Sequence, residues 1–586
     1  MRRWLGVFVF LGAGGLLVVL TVGAEKVDKT EKVNGHEAAS NEVLIKFREA
    51  TPAEIEAAKQ RGGIISARKI GGTGVYRFRA ADKAVATLIG LFGEDPKVEF
   101  VEPNFVLYAD AVPGDPRYAE LWGMDKIGAP LAWDQTTGWG TVTVGVVDTG
   151  VDYRHPDLAA NVWTAPFAFN VTIGDVTRTC PAGAHGYNAI RETFDPLDDN
   201  NHGTHVSGTI GAVGDNGIGV AGVNWTSSIM GLKFLDRKGS GYTSDAIDAI
   251  EFAVQARLAG AANVRVLSNS WGGGRSTQAM REEIERAYEN DMLFVVSAGN
   301  SGAGPVINYY LPTYNTLNLL AVAASDRNDY LAGFSNYGYW SIHLAAPAVD
   351  ILSTVRGASY DYYNGTSMAV PHVSGTAALV IGRWAGFGVD VTTDKIRSIL
   401  INTVDPIDLE PPADYPDANA RNIFGNTIAN GRLSAVNAVS ADPAAVPPFP
   451  DYVMRFSPPM QTVVRGKTAQ YALAITPYFG YSEDRLKVGL SCCDWSGVTV
   501  KMEDPAHPGT WVTVLSPADP HAPENFIPIA LTANTPVQIN IRIETAPNAA
   551  TANSGFTFYA IDDKEGDEPG PFLYHNDTLY LNVTRR

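Results

Sequence analysis

Hydrophobic and polar positions change their period several times along the chain, and each change marks a region. Val43 to Phe47 reads as a strand, and Thr51 to Arg61 as a helix with Pro52 at its first position and Glu54 completing a capping box. Alternation returns at Val75, Tyr76, Arg77 and Phe78. A helical pattern from Asp82 to Phe92 then leads to a last extended piece, Val98 to Val101, so residues 38 to 108 form a compact α+β unit. After a looser stretch, Ala109 to Asp115, short apolar strands alternate with helices from Trp122 to Gly431, the pattern of a parallel sheet covered on both faces. Val142 to Val147, Val264 to Leu267 and Met292 to Val296 are its clearest strands. Asp245 to Leu258 is a helix with Ile247, Ile250, Val254 and Leu258 on one face, and Thr277 to Tyr288 is another after the turn Gly272-Gly273-Gly274. Ala441 to Pro450, mostly Ala and Pro, is a semi-rigid spacer. Beyond it, the β-prone segments Thr462 to Val464, Tyr471 to Ile475, Val498 to Met502, Val537 to Ile543 and Leu579 to Val583 fit a terminal β-sandwich.

At the amino end, Arg2 and Arg3 precede an apolar run from Trp4 to Val22, and Val22-Gly23-Ala24 then meets charge, the three-part pattern of an export signal cleaved after Ala24. A retained anchor is the alternative reading, because the run approaches membrane-spanning length. No second run of that length follows, so no stable membrane association is expected once the signal is removed. Composition narrows the picture further. With 58 Gly and 35 Pro among 586 residues and 18% charged, coiled coil and collagen are excluded. A formal charge of -18 disfavours nucleic acid as a partner. Cys180, Cys492 and Cys493 are too few for a disulfide framework and read as unbridged thiols.

Three segments carry chemistry. Val144 to Val147 is a buried strand that delivers Asp148 at its end, with Gly150 allowing a sharp turn. Asn201-His202-Gly203-Thr204-His205 combines two imidazoles with small residues at the start of a helix. No third ligand at metal spacing accompanies them, which argues against catalytic zinc. Asn364-Gly365-Thr366-Ser367-Met368-Ala369 leads into Val370-Pro371-His372, where Pro371 is best tolerated if a helix is just beginning. An Asp, a His and an isolated Ser beside Gly are the parts of a nucleophilic triad. In the bland alternative, His202 is a core histidine and Ser367 a helix cap.

In the order Asp148, His202, Ser367, with the blocks Val147-Asp148-Thr149-Gly150, His202-Gly203-Thr204-His205-Val206 and Gly365-Thr366-Ser367-Met368-Ala369, the chain resembles the subtilisin-like serine proteases. The resemblance implies an α/β fold: a subtilisin-like parallel sheet with helices on both faces, preceded by a small α+β propeptide and followed by the β-sandwich. It implies catalysis by Asp148, His202 and Ser367, with Asn300 in Ser297-Ala298-Gly299-Asn300 as the side-chain oxyanion donor, and makes His205 and His372 structural neighbours. Lys238-Gly239-Ser240-Gly241 and Ser270-Trp271-Gly272-Gly273 resemble the edges that receive an extended peptide or protein substrate, with Tyr242 and Trp271 shaping the walls. Asp115, Asp157 and the loop from Val213 to Val220, through Asp215, Asn216 and Ile218, resemble parts of a stabilising calcium (Ca2+) site; solvated turn carboxylates are the alternative. Val370, and Ala348 after Pro347, depart from the family's usual small residues.

The implied organisation is a signal at 1–24, an inhibitory propeptide at 25–112 that is the enzyme's own partner, a catalytic domain at 113–440, a linker at 441–450 and an accessory sandwich at 451–586, with self-cleavage near Ala109 to Pro113. A secreted serine endopeptidase is the leading expectation. A noncatalytic adhesion or scaffold protein retaining the fold, and an esterase using the same triad, are the alternatives.

Overall fold

A computed structural model describes residues 30–584 except 34–35, 107–111, 305–310, 339–340, 408–422, 424–425, 479–482, 491–497, 516–525, 550–552 and 563–573. The signal at 1–24, Cys492, Cys493 and part of the expected cleavage stretch therefore lie outside the described residues. The chain divides into two units, residues 1–109 and 110–586.

In the first unit, β1 (Thr30–Val33), β2 (His36–Phe47), β3 (Ile64–Ile70), β4 (Val75–Ala80) and β5 (Val98–Phe105) form a five-stranded sheet, with α1 (Pro52–Gly62) and α2 (Val85–Gly93) as its helices. The capping box at α1 forms as read: Thr51 accepts from the Glu54 N–H and Glu54 returns a bond to the Thr51 N–H. Val43, Ile45, Phe47, Phe78, Leu88 and Phe92 fill one small core. The buried Glu42 is neutralised by Arg79 at 2.9 Å and bound by Asn104 at 2.8 Å, tying β2 to β4 and β5.

The second unit opens with α3 (Trp122–Lys126) and α4 (Ala129–Trp133), then β6 (Gly138–Asp148), the hairpin β7 (Phe169–Ile173) and β8 (Val176–Cys180), and β9 (Gly186–Asn188). There follow α5 (His202–Gly211), β10 (Thr226–Lys233), α6 (Thr243–Leu258), β11 (Val264–Asn269), α7 (Gln278–Glu289), β12 (Leu293–Ser297), β13 (Leu319–Ser325) and β14 (Leu344–Pro347). The hairpin β15 (Ile351–Val355) and β16 (Ser359–Tyr363) precedes α8 (Thr366–Ala385), α9 (Thr393–Asn402), β17 (Asp405–Pro406), β18 (Gly431–Arg432) and α10 (Ala435–Ser440). Nine strands pair in the order β17-β18-β14-β13-β12-β11-β6-β10-β9, parallel except for β17 against β18. Alternate residues of each strand face opposite cores. Leu293 and Val295 of β12 join the core that contains α8, while Phe294 and Val296 join the one that contains α6 and α7.

One detail differs from the sequence reading. On α6 the buried residues are Ala246, Ala249, Ile250, Phe252, Ala253, Val254 and Ala256, whereas Leu258, the last helical residue, is 63% exposed. Pro371 sits in the second turn of α8, which begins one residue before Ser367. Its missing N–H would have bonded the Ser367 carbonyl, which instead accepts the Ser270 hydroxyl at 2.8 Å.

The spacer 441–450 lies against α9: Lys395 donates to the Val446 carbonyl at 2.7 Å, and Phe449 is buried with its N–H on Ser398 Oγ at 2.9 Å. Beyond it, β19 (Asp451–Ser457), β20 (Met460–Val464), β21 (Thr468–Tyr478), β22 (Glu483–Leu490), β23 (Val498–Glu503), β24 (Trp511–Leu515), β25 (Ile527–Leu531), β26 (Val537–Thr545), β27 (Asn553–Asp562) and β28 (Tyr574–Thr584) make two five-stranded sheets, β19-β21-β26-β23-β24 and β20-β28-β27-β22-β25. Phe456 of one meets Phe558 of the other at 5.2 Å, so the sheets pack face to face.

Candidate active site

β6 carries Asp148 to the carboxyl end of the sheet, where its side chain is fully buried and accepts the Thr149 N–H at 2.7 Å. The chain turns at Gly150 with φ 107°, where an added Cβ would fall 2.3 Å from the Pro196 carbonyl oxygen. α5 begins at His202, and its approach to β6 depends on Gly203, whose Cβ would meet the Gly150 carbonyl oxygen at 2.1 Å. The result is a direct contact: His202 Nδ1 lies 2.8 Å from Asp148 Oδ1 and 3.0 Å from Oδ2. An ionised carboxylate only accepts, so Nδ1 carries the proton and Nε2 is left as the basic nitrogen. Burial opposes the imidazolium, but the charge of Asp148 and its hydrogen bond, with Asp198 behind, outweigh it and raise the His202 pKa above 6.5.

Asp198 was not singled out in the sequence. It is buried, accepts Thr149 Oγ1 at 2.9 Å and the Asn200 N–H at 2.8 Å, and holds the Thr204 hydroxyl at 2.6 Å. One carboxylate thus grips both the strand end behind Asp148 and the first turn of the helix that bears His202. The only signal was the acidic pair just upstream of His202, which looks like any solvated turn.

Ser367 is the second residue of α8, and its hydroxyl donates to the Ser270 carbonyl at 3.0 Å rather than to His202. Asn300 follows β12, with its amide oxygen accepting both the Thr366 N–H and the Thr366 hydroxyl, each at 2.9 Å. A backbone N–H can only donate, so this contact fixes the amide orientation and turns the Nδ2 hydrogens outward as donors. Thr366, next to Ser367, is therefore the group that aims Asn300, a role no sequence pattern displayed.

His205 and His372 are packing residues. His205 stacks on Tyr363 at 4.4 Å and contacts the Ile351 carbonyl at 3.0 Å, and burial lowers its pKa to about 3. His372, bonded to the Met368 carbonyl at 2.8 Å, is lowered to about 4 by burial. Val370 and Ala348 are both fully buried without disturbing α8 or β14.

A cleft of about 540 Å³ runs past His202 and is lined by Gly239, Ser240 and Gly241 on one side and by Ser270, Trp271 and Gly272–Gly274 on the other. Phe234 packs edge-on against Trp271 at 4.7 Å and gives the cleft an apolar wall, while Tyr242, 77% exposed, stands at its rim.

The acidic loop residues also converge. Asp115 accepts the Asp215 N–H at 2.6 Å and the Asn216 N–H at 3.1 Å. Asp157 accepts Asn216 Nδ2 at 2.7 Å, the Val220 N–H at 2.9 Å and the Tyr360 hydroxyl at 3.1 Å, and its carbonyl takes the Val213 N–H at 2.8 Å. Asn216 Oδ1 receives the Ile218 N–H at 2.7 Å, and Asp215 is exposed, with its side chain on the Gly114 N–H. Burial, with repulsion from Asp115, raises the Asp157 pKa. Among the described residues no set of three or more His, Cys, Asp or Glu side chains is arranged to hold a metal.

The Subtilase family model matches residues 140–427, and that of the Fervidolysin N-terminal prodomain matches residues 24–104. Over 392 residues the chain is 33% identical to the Thermophilic serine proteinase of Bacillus sp. (strain AK1), covering 64% of this chain and 88% of that one. The chain belongs to the subtilase family. It is a subtilisin-like serine protease with its own prodomain. Subtilisin E of Bacillus subtilis (strain 168) is 32% identical over 373 residues, covering 62% of this chain and 86% of that protein. The Extracellular protease of Xanthomonas campestris pv. campestris is 35% identical over 373 residues, covering 58% and 62% respectively. Among the described residues of this subtilase, no helix is long and apolar enough to cross a membrane.

Proposed function

We propose that this subtilase is an endopeptidase in which Ser367 is the nucleophile, His202 the base and then the acid, and Asp148 the group that holds the imidazole. The Asp148–His202 hydrogen bond at the cleft carries this reading. As the Ser367 Oγ–C bond forms, the hydroxyl leaves the Ser270 carbonyl and gives its proton to His202 Nε2. The Ser367 N–H and Asn300 Nδ2 stabilise the oxyanion, which is present only after attack. Collapse breaks the C–N bond, His202 protonates the leaving amine, and water repeats the sequence on the acyl-enzyme. An extended peptide substrate pairs with Gly239–Gly241 and Ser270–Gly273, and Trp271 with Phe234 favours an apolar or aromatic side chain.

The proposed organisation is an export signal at 1–24, an inhibitory propeptide at 25–112 cut by the enzyme itself near Ala109 to Pro113, a catalytic domain at 113–440, a linker at 441–450 and an accessory domain at 451–586. The prodomain match and a relative named as an extracellular protease support export as a zymogen.

The loop cluster fits a calcium ion in one respect: Asp115 and Asp157 are buried together, and among the described residues neither has an ion-pair partner. Asp115, Asp157 and Asn216, with oxygens of the Val213–Val220 loop, would hold it, and the ion would cancel the carboxylate repulsion and lock the loop.

Ser367→Ala tests the reading. The variant is expected to leave the propeptide attached and to release no fragments from an unfolded protein. Unchanged fragment release would remove Ser367 from its role, and rapid ester turnover by the unaltered enzyme without protein cleavage would favour the esterase.

A further inference from the structure

The subtilase match ends at residue 427, and the sandwich beyond it takes no part in the proposed chemistry. Its attachment is nevertheless specific. Arg397 of α9 ion-pairs Asp451, the first residue of β19, at 3.0 Å, with side chains only 4% and 2% exposed. The same guanidinium donates to the Leu319 carbonyl at 2.9 Å, meets His343 Nε2 at 2.9 Å and lies over the Phe449 ring at 5.2 Å. Further along β19, Arg455 pairs with Glu285 of α7 and donates to the Asn315 carbonyl at 2.9 Å. Phe449, Tyr452 and Met454 belong to the same continuous core as Ile396, Ile399 and Leu400 of α9.

A linker between independent domains leaves a polar, easily parted interface. Here an ion pair is shut away from water, and removing either partner strands a buried charge. Position adds a second argument. Leu319 opens β13, and Asp291, just before β12, binds the Thr393 N–H of α9 at 2.7 Å, so these contacts gather at the amino ends of the parallel strands. Asp148 closes β6 and Asn300 follows β12, at the carboxyl ends. The sandwich is at the opposite pole of the sheet from the cleft and cannot hand substrate to it.

We propose that α9, α7 and the 315–319 segment form a permanent seat for the chain's own C-terminal sandwich, which braces the amino end of the catalytic sheet and is not a tethered substrate-binding module. The test places a site for a sequence-specific protease at the exposed Ala444-Ala445 of the full chain, with Ser367→Ala to prevent self-digestion, and cuts after folding. The expected result is that the two pieces co-elute on gel filtration in high salt and unfold in a single transition. Separate elution of pieces that keep the melting temperature of the uncut protein overturns the proposal. In the uncut, active chain, Asp451→Asn and Phe449→Ala are each expected to lower one common Tm by about 4–10 °C while kcat/KM on a short peptide and on an unfolded protein stays level. An unmoved Tm, two independent transitions of which only one shifts, or a raised KM for the protein substrate alone overturns it.

Discussion

Asp148 and His202 sit 2.8 Å apart, and in the proposed mechanism the charge of one sets the pH at which the other serves as a base. The base must be neutral, so kcat/KM falls as pH drops through the His202 pKa. Because that pKa is raised above 6.5, the half-maximal rate on the acid limb is expected above pH 6.5. Asp148→Asn removes the attracting charge, so the acid limb should move to lower pH while kcat falls about 10⁴-fold, the scale this loss has in subtilisin. A pH–rate profile checks both, and an unmoved limb would contradict the electrostatic account. Asn300→Ala should lower kcat by about 10²–10³-fold with little change in KM, again the scale known from subtilisin for an oxyanion donor. The side chains proposed to act were legible because each stands in a short contiguous block. Those that hold them were not: Asp198, Thr366 and Ser270 bond to the strand end, helix or amide that carries them, and nothing local distinguishes them from turn and cap residues.

α6 and α7 pack beside the sheet with a carboxyl group between them. Glu283 of α7 is buried with Oε1 unbonded, and burial, then the charge of Glu251 on α6, pushes it up to about 8, against the pull of Arg286. The folded state therefore holds a proton that the unfolded chain releases near 4.5, and stability declines as pH rises from there to about 8. Glu283→Gln should match the unaltered protein near pH 5 and melt several degrees higher near pH 9, as measured by thermal unfolding in a Ser367→Ala background; equal melting at both would exclude the carboxyl as the cause. The buried strands were readable as continuous apolar runs, α1 from its capping box and α7 from the glycine turn before it. The hairpin strands β7, β8 and β16 and the propeptide strand β3 were not, because their burial is sparse or half exposed and the pairing partner supplies what the pattern lacks. Pro371 marked the early part of α8 as its sequence suggests, and the Ser270 hydroxyl satisfies the carbonyl that the proline leaves open.

For the whole molecule, the proposed ion at Asp115 and Asp157 is assigned to stability rather than to catalysis. A chelator is expected to lower the folding stability of the processed enzyme by about 2.7 kcal/mol where the ion had been at 100 times its Kd, seen as a lower Tm, without changing kcat of the fraction that stays folded. Asp157→Asn should abolish that dependence, and a chelator effect that persists in the variant would place the ion elsewhere. The alternating strands and helices were enough to foresee a parallel sheet. The seat of the sandwich was hidden, since Arg397 and Asp451 are ordinary charges until the fold buries them together. The central claim is that one serine performs the chemistry of the whole chain, and intact-mass spectrometry after treatment with a phosphonylating serine reagent tests it most directly. The account predicts a single adduct per molecule, mapped to Ser367 and formed in step with loss of peptidase activity; an adduct on another residue, or full activity with Ser367 unmodified and another site labelled, would contradict it.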